Sequence, residues 1–503
     1  MFHLNRYRQS FTTLISNTNF IIFNLKSKTN LHHTSSSSST KLKPHENTTY
    51  DIIIFGASGF TGKYVLKQAL KFLNLPNSPL KTLALAGRNH SKLSKTLAWA
   101  SPSPSQYPTI PIIIADTTNP SSLRRMASQA KLVLNCAGPF RIHGTPVVDA
   151  CVEIGCDYLD ICGESEFIER VEAVYDEKAV ENGSLVVSAC GVDSVPAELG
   201  FLFNLKQWVW PAVVNGVEGY MNVESEKRVV VNYATYESAV LGVANVDELK
   251  ELRRLTRRKR GRPKIAGRAP TKGPIIEHQT KIGLWAVKLP SVDASIVRRT
   301  LAFLAQNSTG IQGINETPEH QQKRIDFWST INPAHFGMNI ASPNLFNIFG
   351  FITVGLLVAN FSKFSLGRRL LLKFPEFFSL GWFRKGGPTE EEVVSSSFKM
   401  WFVGRGFSHV DHVSREGAKP DMEIITRLKG PEFGYVSTSI ILIQCALIVL
   451  KQRRDLPKGG VYTPGIIFGP TDLQERLQEN GISFDIISKG IKKEMGGSSS
   501  FTK

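Results

Sequence analysis

Between Tyr50 and about Cys190 the chain alternates short apolar runs with longer amphipathic stretches. The runs are Asp51–Phe55, Thr82–Ala86, Ile110–Ala115, Lys131–Asn135, Cys156–Asp160 and Leu185–Ala189. Runs without clean alternation predict strands covered on both faces. The stretches between them are long enough for crossover helices, and residues 63–72 carry a helical stripe through Val65, Leu66, Ala69 and Leu70. Strand and helix repeating in this way predict an α/β fold built on a doubly wound, Rossmann-type parallel sheet. In such a sheet ligands lie past the carboxyl ends of the strands.

Residues 200–430 read differently. Arg228–Ala234 and Phe398–Gly404 alternate, which predicts strands of an antiparallel or mixed sheet in a second, mixed α/β domain. Residues 345–361 are the most apolar stretch, followed by Lys363, Arg368, Arg369 and Lys373. A membrane span needs roughly 20 apolar residues, so this stretch is marginal as one. A hairpin or helix dipping into one leaflet is one reading, and a buried or dimer-facing helix is the other. Val436–Leu450 is also apolar but carries Ser437, Thr438, Ser439 and Gln444, which suits a core helix.

The chemistry begins where the first strand ends. Tyr50-Asp-Ile-Ile-Ile-Phe-Gly-Ala-Ser-Gly-Phe-Thr-Gly62 runs from an apolar strand into a turn with Gly56, Gly59 and Gly62 three apart. Glycine lets backbone pass close to a bulky anion, and the helix that follows aims unpaired N–H groups at a phosphate. Gly56, Ser58, Gly59, Phe60, Thr61 and Gly62 are therefore candidates to hold the pyrophosphate of a dinucleotide, a nicotinamide cofactor first among them. The commoner G-x-G-x-x-G has glycine where Ala57 stands, and a ligand-free strand–helix turn is the bland alternative.

Arg88 follows the second strand. An acid there would bond the 2′-hydroxyl of NAD, whereas an arginine fork meets the 2′-phosphate of NADP, so NADP(H) is favoured over NAD(H). Asp116, after the third strand, either touches the adenine edge or caps a helix at Asn119–Ala130. Ala137 and Gly138, after the fourth, are small enough to line the nicotinamide ribose. Tyr158, Asp160 and Glu164 end the fifth strand, and Asp193 and Ser194 follow the sixth. A hydride transfer needs one proton donor beside the cofactor. Tyr158 is the first candidate, Asp193 the second, and Glu164 serves if burial raises its pKa. Capping a helix that starts near Ala197 is the alternative for Asp193 and Ser194.

The chain has 503 residues, room for two or three domains, and a net charge of +17. Two segments hold nearly all of that charge. Residues 1–45 carry six Lys/Arg and no acid, and residues 250–272 carry eleven Lys/Arg and one acid, Glu251. The folded body is therefore close to neutral, which argues against a nucleic-acid partner. Arg260-Gly261-Arg262-Pro263 resembles an AT-hook, but a solvated basic loop or an anionic lipid surface explains it as well. Residues 1–48, acid-poor and Ser-rich, suit a mitochondrial or plastid transit peptide, or else a disordered arm. Six cysteines without a C-x-x-C suggest reduced, buried thiols, and no metal site is expected at His409 and His412.

An ordered set of motifs completes this reading: GASGFTG (56–62), AGRN (86–89), NCAGPF (135–140), ACVEIGCDYLDICGE (150–164), ACGVDSVPAELG (189–200), WAVKLPSVDASIVRRT (285–300) and GGVYTPGIIFGPTDLQERL (459–477). With them the chain resembles the saccharopine dehydrogenase-like oxidoreductases, which are similar to mycobacterial trans-acting enoyl reductases. The resemblance implies a dinucleotide-binding domain at 49–199, a substrate domain at 200–430, and C-terminal helices at 431–503 closing onto the first domain. It also implies association with mitochondria, membranes or lipid droplets and a link to glycolipid metabolism. The expected function is NAD(P)-dependent oxidation or reduction of a small hydrophobic or lipid-linked substrate at a membrane, with a homodimer left open. The basic pocket of a true saccharopine dehydrogenase does not map onto this sequence. The alternative is a non-catalytic membrane or lipid-droplet scaffold that keeps the nucleotide fold.

Overall fold

A computed structural model describes residues 49–101, 109–256, 261–270, 273–288, 290–415 and 417–491. The expected transit segment and Arg260 of the basic loop lie outside these residues. Continuous apolar runs cannot tolerate a wet face, and the first six strands accordingly lie in one parallel sheet, largely buried on both sides, with Ile114 of an edge strand exposed. They are β1 (Tyr50–Phe55), β2 (Leu83–Gly87), β3 (Ile112–Ile114), β4 (Ala130–Asn135), β5 (Asp157–Asp160) and β6 (Leu185–Val187). The helices that follow them in turn are α1 (Phe60–Leu70), α2 (His90–Ala100), α3 (Pro120–Ala127), α4 (Phe140–Ile154), α5 (Ser165–Asn182) and α6 (Val195–Leu205). Asn89 and Asn119 cap α2 and α3 through their side chains, and Gly155 and Gly183 end α4 and α5 in the left-handed region.

The second layer starts with β7 (Val213–Ser225), β8 (Val231–Asn232), α7 (Tyr233–Ala244) and α8 (Val246–Thr256). It continues through β9 (Ile276–Gln279), β10 (Leu284–Val287), α9 (Val292–Leu304), α10 (Pro318–Ser329) and β11 (His335–Ser342). Next come α11 (Leu345–Phe361), α12 (Ser365–Lys373), α13 (Pro375–Phe378), β12 (Phe383–Arg384) and α14 (Glu390–Val394). The chain then adds β13 (Ser396–Phe407), β14 (Met422–Pro431), α15 (Thr438–Gln452), β15 (Gly460–Tyr462), α16 (Pro464–Phe468), α17 (Leu473–Glu479) and β16 (Ser483–Ile491). The second sheet has the order β16-β14-β13-β7-β11-β10-β9 and is antiparallel except between β7 and β11.

Two expectations change here. Arg228–Ala234 is not a strand of the second sheet. Only Val231–Asn232 pairs, with Phe383–Arg384, because the Asn232 side chain accepts the Ala234 N–H and starts α7. The C-terminal region is not helices alone. β15 becomes the seventh strand of the first sheet, in the order β15-β6-β5-β4-β1-β2-β3, and β16 edges the second.

The two sheets share one core. α6 lies between them, and a side chain at Gly200 would collide with the Phe402 ring of β13. α15 is buried from Thr438 to Val449 and packs on α1 and β4. The helical run Phe433–Asp455 is long and apolar enough to cross a membrane, but it is mostly enclosed by protein, as a core helix is. Its far end is locked by Arg453, whose Nε donates to the buried Asp157 of β5 at 2.6 Å and whose other nitrogens reach the Gly183, Pro457 and Lys458 carbonyls. Removing one partner of such a pair strands a charge in the interior. Arg453→Met is therefore expected to cost ~3 kcal/mol, read as a lower urea midpoint with an unchanged slope.

Candidate active site

Backbone sterics build the cofactor cradle. Gly56 sits at φ +80°, and a Cβ there would lie 2.9 Å from the Ala137 nitrogen. A Cβ at Gly62 would collide with the Gly56 carbonyl oxygen, so Gly62 is what lets α1 approach β1 closely. Ser58 and Gly59 are exposed, and no side chain caps α1 at Gly59. The N–H groups of Phe60 and Thr61 open the helix there, as an anion site requires. The Phe60 ring itself turns away and stands edge-on to Tyr435 at 4.6 Å between centroids. Across the turn, Ala137 is half-buried and Gly138 exposed at the end of β4. This glycine cradle, which side chains would fill, fits a dinucleotide pyrophosphate.

Arg88, the candidate for the adenosine end, is exposed after β2. Asp116 does not cap α3, because Asn119 does. Its carboxylate accepts the Thr118 N–H at 2.9 Å instead, and that bond, with the Thr118 hydroxyl and the Arg88 charge, holds its pKa below the usual range. His143 stands beside this group, with Nδ1 3.3 Å from Thr117 Oγ1, and burial and the Arg88 charge lower its pKa.

The groups at the other end separate into scaffolding and chemistry. Tyr158 is fully buried at 0% exposure. Its hydroxyl accepts from Asn135 Nδ2 at 3.0 Å and donates to Asp160, so it lies behind the strand ends, out of reach of a substrate. Glu164 is also spoken for. Its carboxylate accepts the Phe140 and Arg141 N–H groups at 2.7 and 2.9 Å, holding the N-terminus of α4, and receives Ser238 Oγ at 2.7 Å. The structure therefore withdraws both residues from the proton-donor role.

Asp160 is the knot beneath. It accepts the Cys162 and Ala189 N–H groups at 2.9 and 2.8 Å and Ser188 Oγ at 2.9 Å. Burial still pushes its carboxyl up to about 6. Ala189 is held at φ +64° by this bond and by Ser194 Oγ, which donates to the Ala189 carbonyl. That bend carries Asp193 into the open. Neither Asp193 nor Ser194 caps α6, which starts at Val195 with no side-chain cap at Ser194. Asp193 is reached by solvent yet walled by protein, and desolvation raises its pKa. A side chain at Gly163 would collide with Asp193 Oδ2, so Gly163 is the seat of that carboxylate.

A residue that sequence reasoning missed completes the group. Asp293, in the first turn of α9, receives Ser291 Oγ at 2.6 Å on one oxygen, while the other is buried without a hydrogen-bond partner. Burial first, then the charges of Asp193 and Glu198, push it up to about 7. Glu198 lies behind, in the first turn of α6, accepting the Gly465 N–H at 2.5 Å and the Thr300 hydroxyl. Burial pushes it up to about 7 as well. A carboxyl in each of the motifs 189–200 and 285–300 was visible, but only the fold brings Asp293 within electrostatic range of Asp193.

Residues 52–187 match the family model described as saccharopine dehydrogenase NADP binding domain. The whole folded body is 61% identical, over 88% of this chain and 97% of the other, to a probable mitochondrial saccharopine dehydrogenase-like oxidoreductase of Arabidopsis thaliana. The chain belongs to the saccharopine dehydrogenase-like oxidoreductases. A member from Rattus norvegicus is 36% identical over 88% of this chain and 98% of its own length. A Caenorhabditis elegans relative named lipid droplet localized protein is 31% identical over 88% of this chain and 99% of its own. In this oxidoreductase the glycine cradle and Arg88 both fall within the NADP-binding match.

The raised carboxyls fix a pH dependence. Asp160, Glu198 and Asp293 bind their protons more tightly folded than unfolded. Stability therefore falls as pH rises from ~4, where unfolded carboxyls ionise, to about 7, where the folded ones have ionised too. Tm is expected to be higher near pH ~5 than near pH ~8. Glu198→Gln should narrow that gap by ~2 °C or more in calorimetry.

Proposed function

We propose that this oxidoreductase binds NADPH in preference to NADH and reduces a hydrophobic, lipid-linked carbonyl or enoyl compound at a membrane or lipid-droplet surface. The observation that carries the reading is Asp193, seated over Gly163 at the carboxyl edge of the parallel sheet, with Asp293 within electrostatic range. Bound NADPH supplies a hydride there. Ala137 and Gly138 leave room for the ribose, and Arg88 meets the 2′-phosphate with a planar fork. Asp193, open to solvent, gives a proton to the substrate atom that takes up negative charge. Asp293 keeps its own proton near neutral pH, because burial first and then the charges of Asp193 and Glu198 raise its pKa, and it resupplies Asp193. The C. elegans relative's name supports the lipid link, and the Arabidopsis relative's name supports a mitochondrial setting.

Titration of the protein with NADPH and NADH, followed by nicotinamide fluorescence, tests the cofactor half. Arg88→Ala should weaken NADPH by about tenfold or more and leave NADH unchanged, the loss expected of a charged hydrogen bond. Binding of neither nucleotide would hand the lead to the scaffold reading. For the proton half, Asp193→Asn should lower turnover by ~100-fold without weakening NADPH, while Tyr158→Phe should leave turnover near that of the parent. The reverse pattern would restore Tyr158.

A further inference from the structure

We propose that α11, α12 and α13 form a platform that lies on an anionic phospholipid surface, inserting one apolar face without crossing the bilayer. This rests on, and sharpens, the membrane-surface reading above. α11 contains no Asp, Glu, Lys or Arg over its 17 residues. Ile348, Val354 and Val358 are buried, and the latter two join Tyr236 and Val240 of α7, Leu371 of α12 and Phe378 of α13 in a small core of their own. The opposite face carries Phe346, Phe349, Thr353, Leu356 and Asn360, spaced three and four apart, all exposed. Phe346 is 83% exposed, and beyond the helix Phe377 is 77% and Leu366 63% exposed. Large apolar side chains gathered this densely mark an interaction surface.

Length and packing exclude a span. Seventeen helical residues rise ~25 Å, short of the ~30 Å hydrocarbon core, and the face of Ile348, Val354 and Val358 is already buried against protein. Charge chooses the partner. Residues 343–385 hold six Lys/Arg and one acid, Glu376. Lys363, Arg369, Lys373 and Lys385 are exposed, and the Glu376 carboxylate accepts the Lys385 N–H at 3.1 Å. Each cation near an anionic leaflet adds ~1 kcal/mol, on top of apolar insertion. A second copy meeting this face about a two-fold axis would set these cations against themselves.

The platform also reaches the candidate site. α7 contributes Tyr236 and Val240 to the platform core, while its Ser238 hydroxyl donates to Glu164 beside the end of β4. One helix thus touches both, and docking would hold the candidate site beside the lipid.

Flotation of the full chain with phosphatidylcholine vesicles, with and without phosphatidylserine, tests the docking. Strong recovery with the phosphatidylserine vesicles is expected. Replacing Phe346, Phe349 and Leu356 together by Ser should cut recovery at least tenfold. Lys363→Glu with Lys373→Glu should erase the advantage of phosphatidylserine. NADPH titration of both variants should match the parent, which separates lost docking from lost folding. Flotation that ignores both variants, or fails in the parent, overturns the proposal. So does light scattering in which the Ser variant converts a dimer to monomer, since the face is then a protein interface. Normal flotation without nucleotide binding would leave docking standing and sink the oxidoreductase reading.

Discussion

The site depends on carboxylates taken out of water at the carboxyl edge of the first sheet. Asp160 binds the ends of β5 and β6 into one unit through two backbone N–H groups and the Ser188 hydroxyl. That bond pins Ala189 in a conformation an alanine rarely adopts, and the bend lifts Asp193 over Gly163. Glu198 does the same one layer back, tying α6 to Gly465 in the first turn of α16 and to Thr300 of α9. α9 is thereby registered so that its first turn brings Asp293 within electrostatic range of Asp193. Two buried carboxyls position the two proposed to handle the proton.

Such an arrangement works only if the layers cannot slide. The chain secures this by returning to both sheets at its end: β15 completes the parallel sheet and β16 edges the mixed one. α15 runs through the shared core between these returns, with Arg453 fastening its end to Asp157. The domain that holds the dinucleotide and the layer that supplies Asp293 are thus one packing problem. α11–α13 stand outside this core, with a small core of their own, and meet the site through α7.

The legible parts of this structure were those whose physics is local. Strands buried on both faces reveal themselves as apolar runs, and the glycine spacing at 56–62 reports a close backbone approach that sterics enforce. The misread parts depended on partners far away in the chain. Tyr158 and Asp160 share a strand face, and the sequence does not say whether that face meets a ligand or a neighbouring strand's Asn135. Glu164 reads as a free acid until α4 presents its N–H groups. Asp293 lies a hundred residues from Asp193, so no spacing rule could pair them. Arg228–Ala234 alternates like a strand, but Asn232 offers the backbone a helix cap, and the cap prevails.

Crystals grown with NADP+ would test the central claim most directly. The account predicts the pyrophosphate on the Gly56–Gly62 turn, the 2′-phosphate at Arg88, and the nicotinamide beside Gly138 with the Asp193 carboxylate facing the space above the ring. A nicotinamide lodged elsewhere, or an Asp193 turned away from it and sealed by protein, would contradict the account.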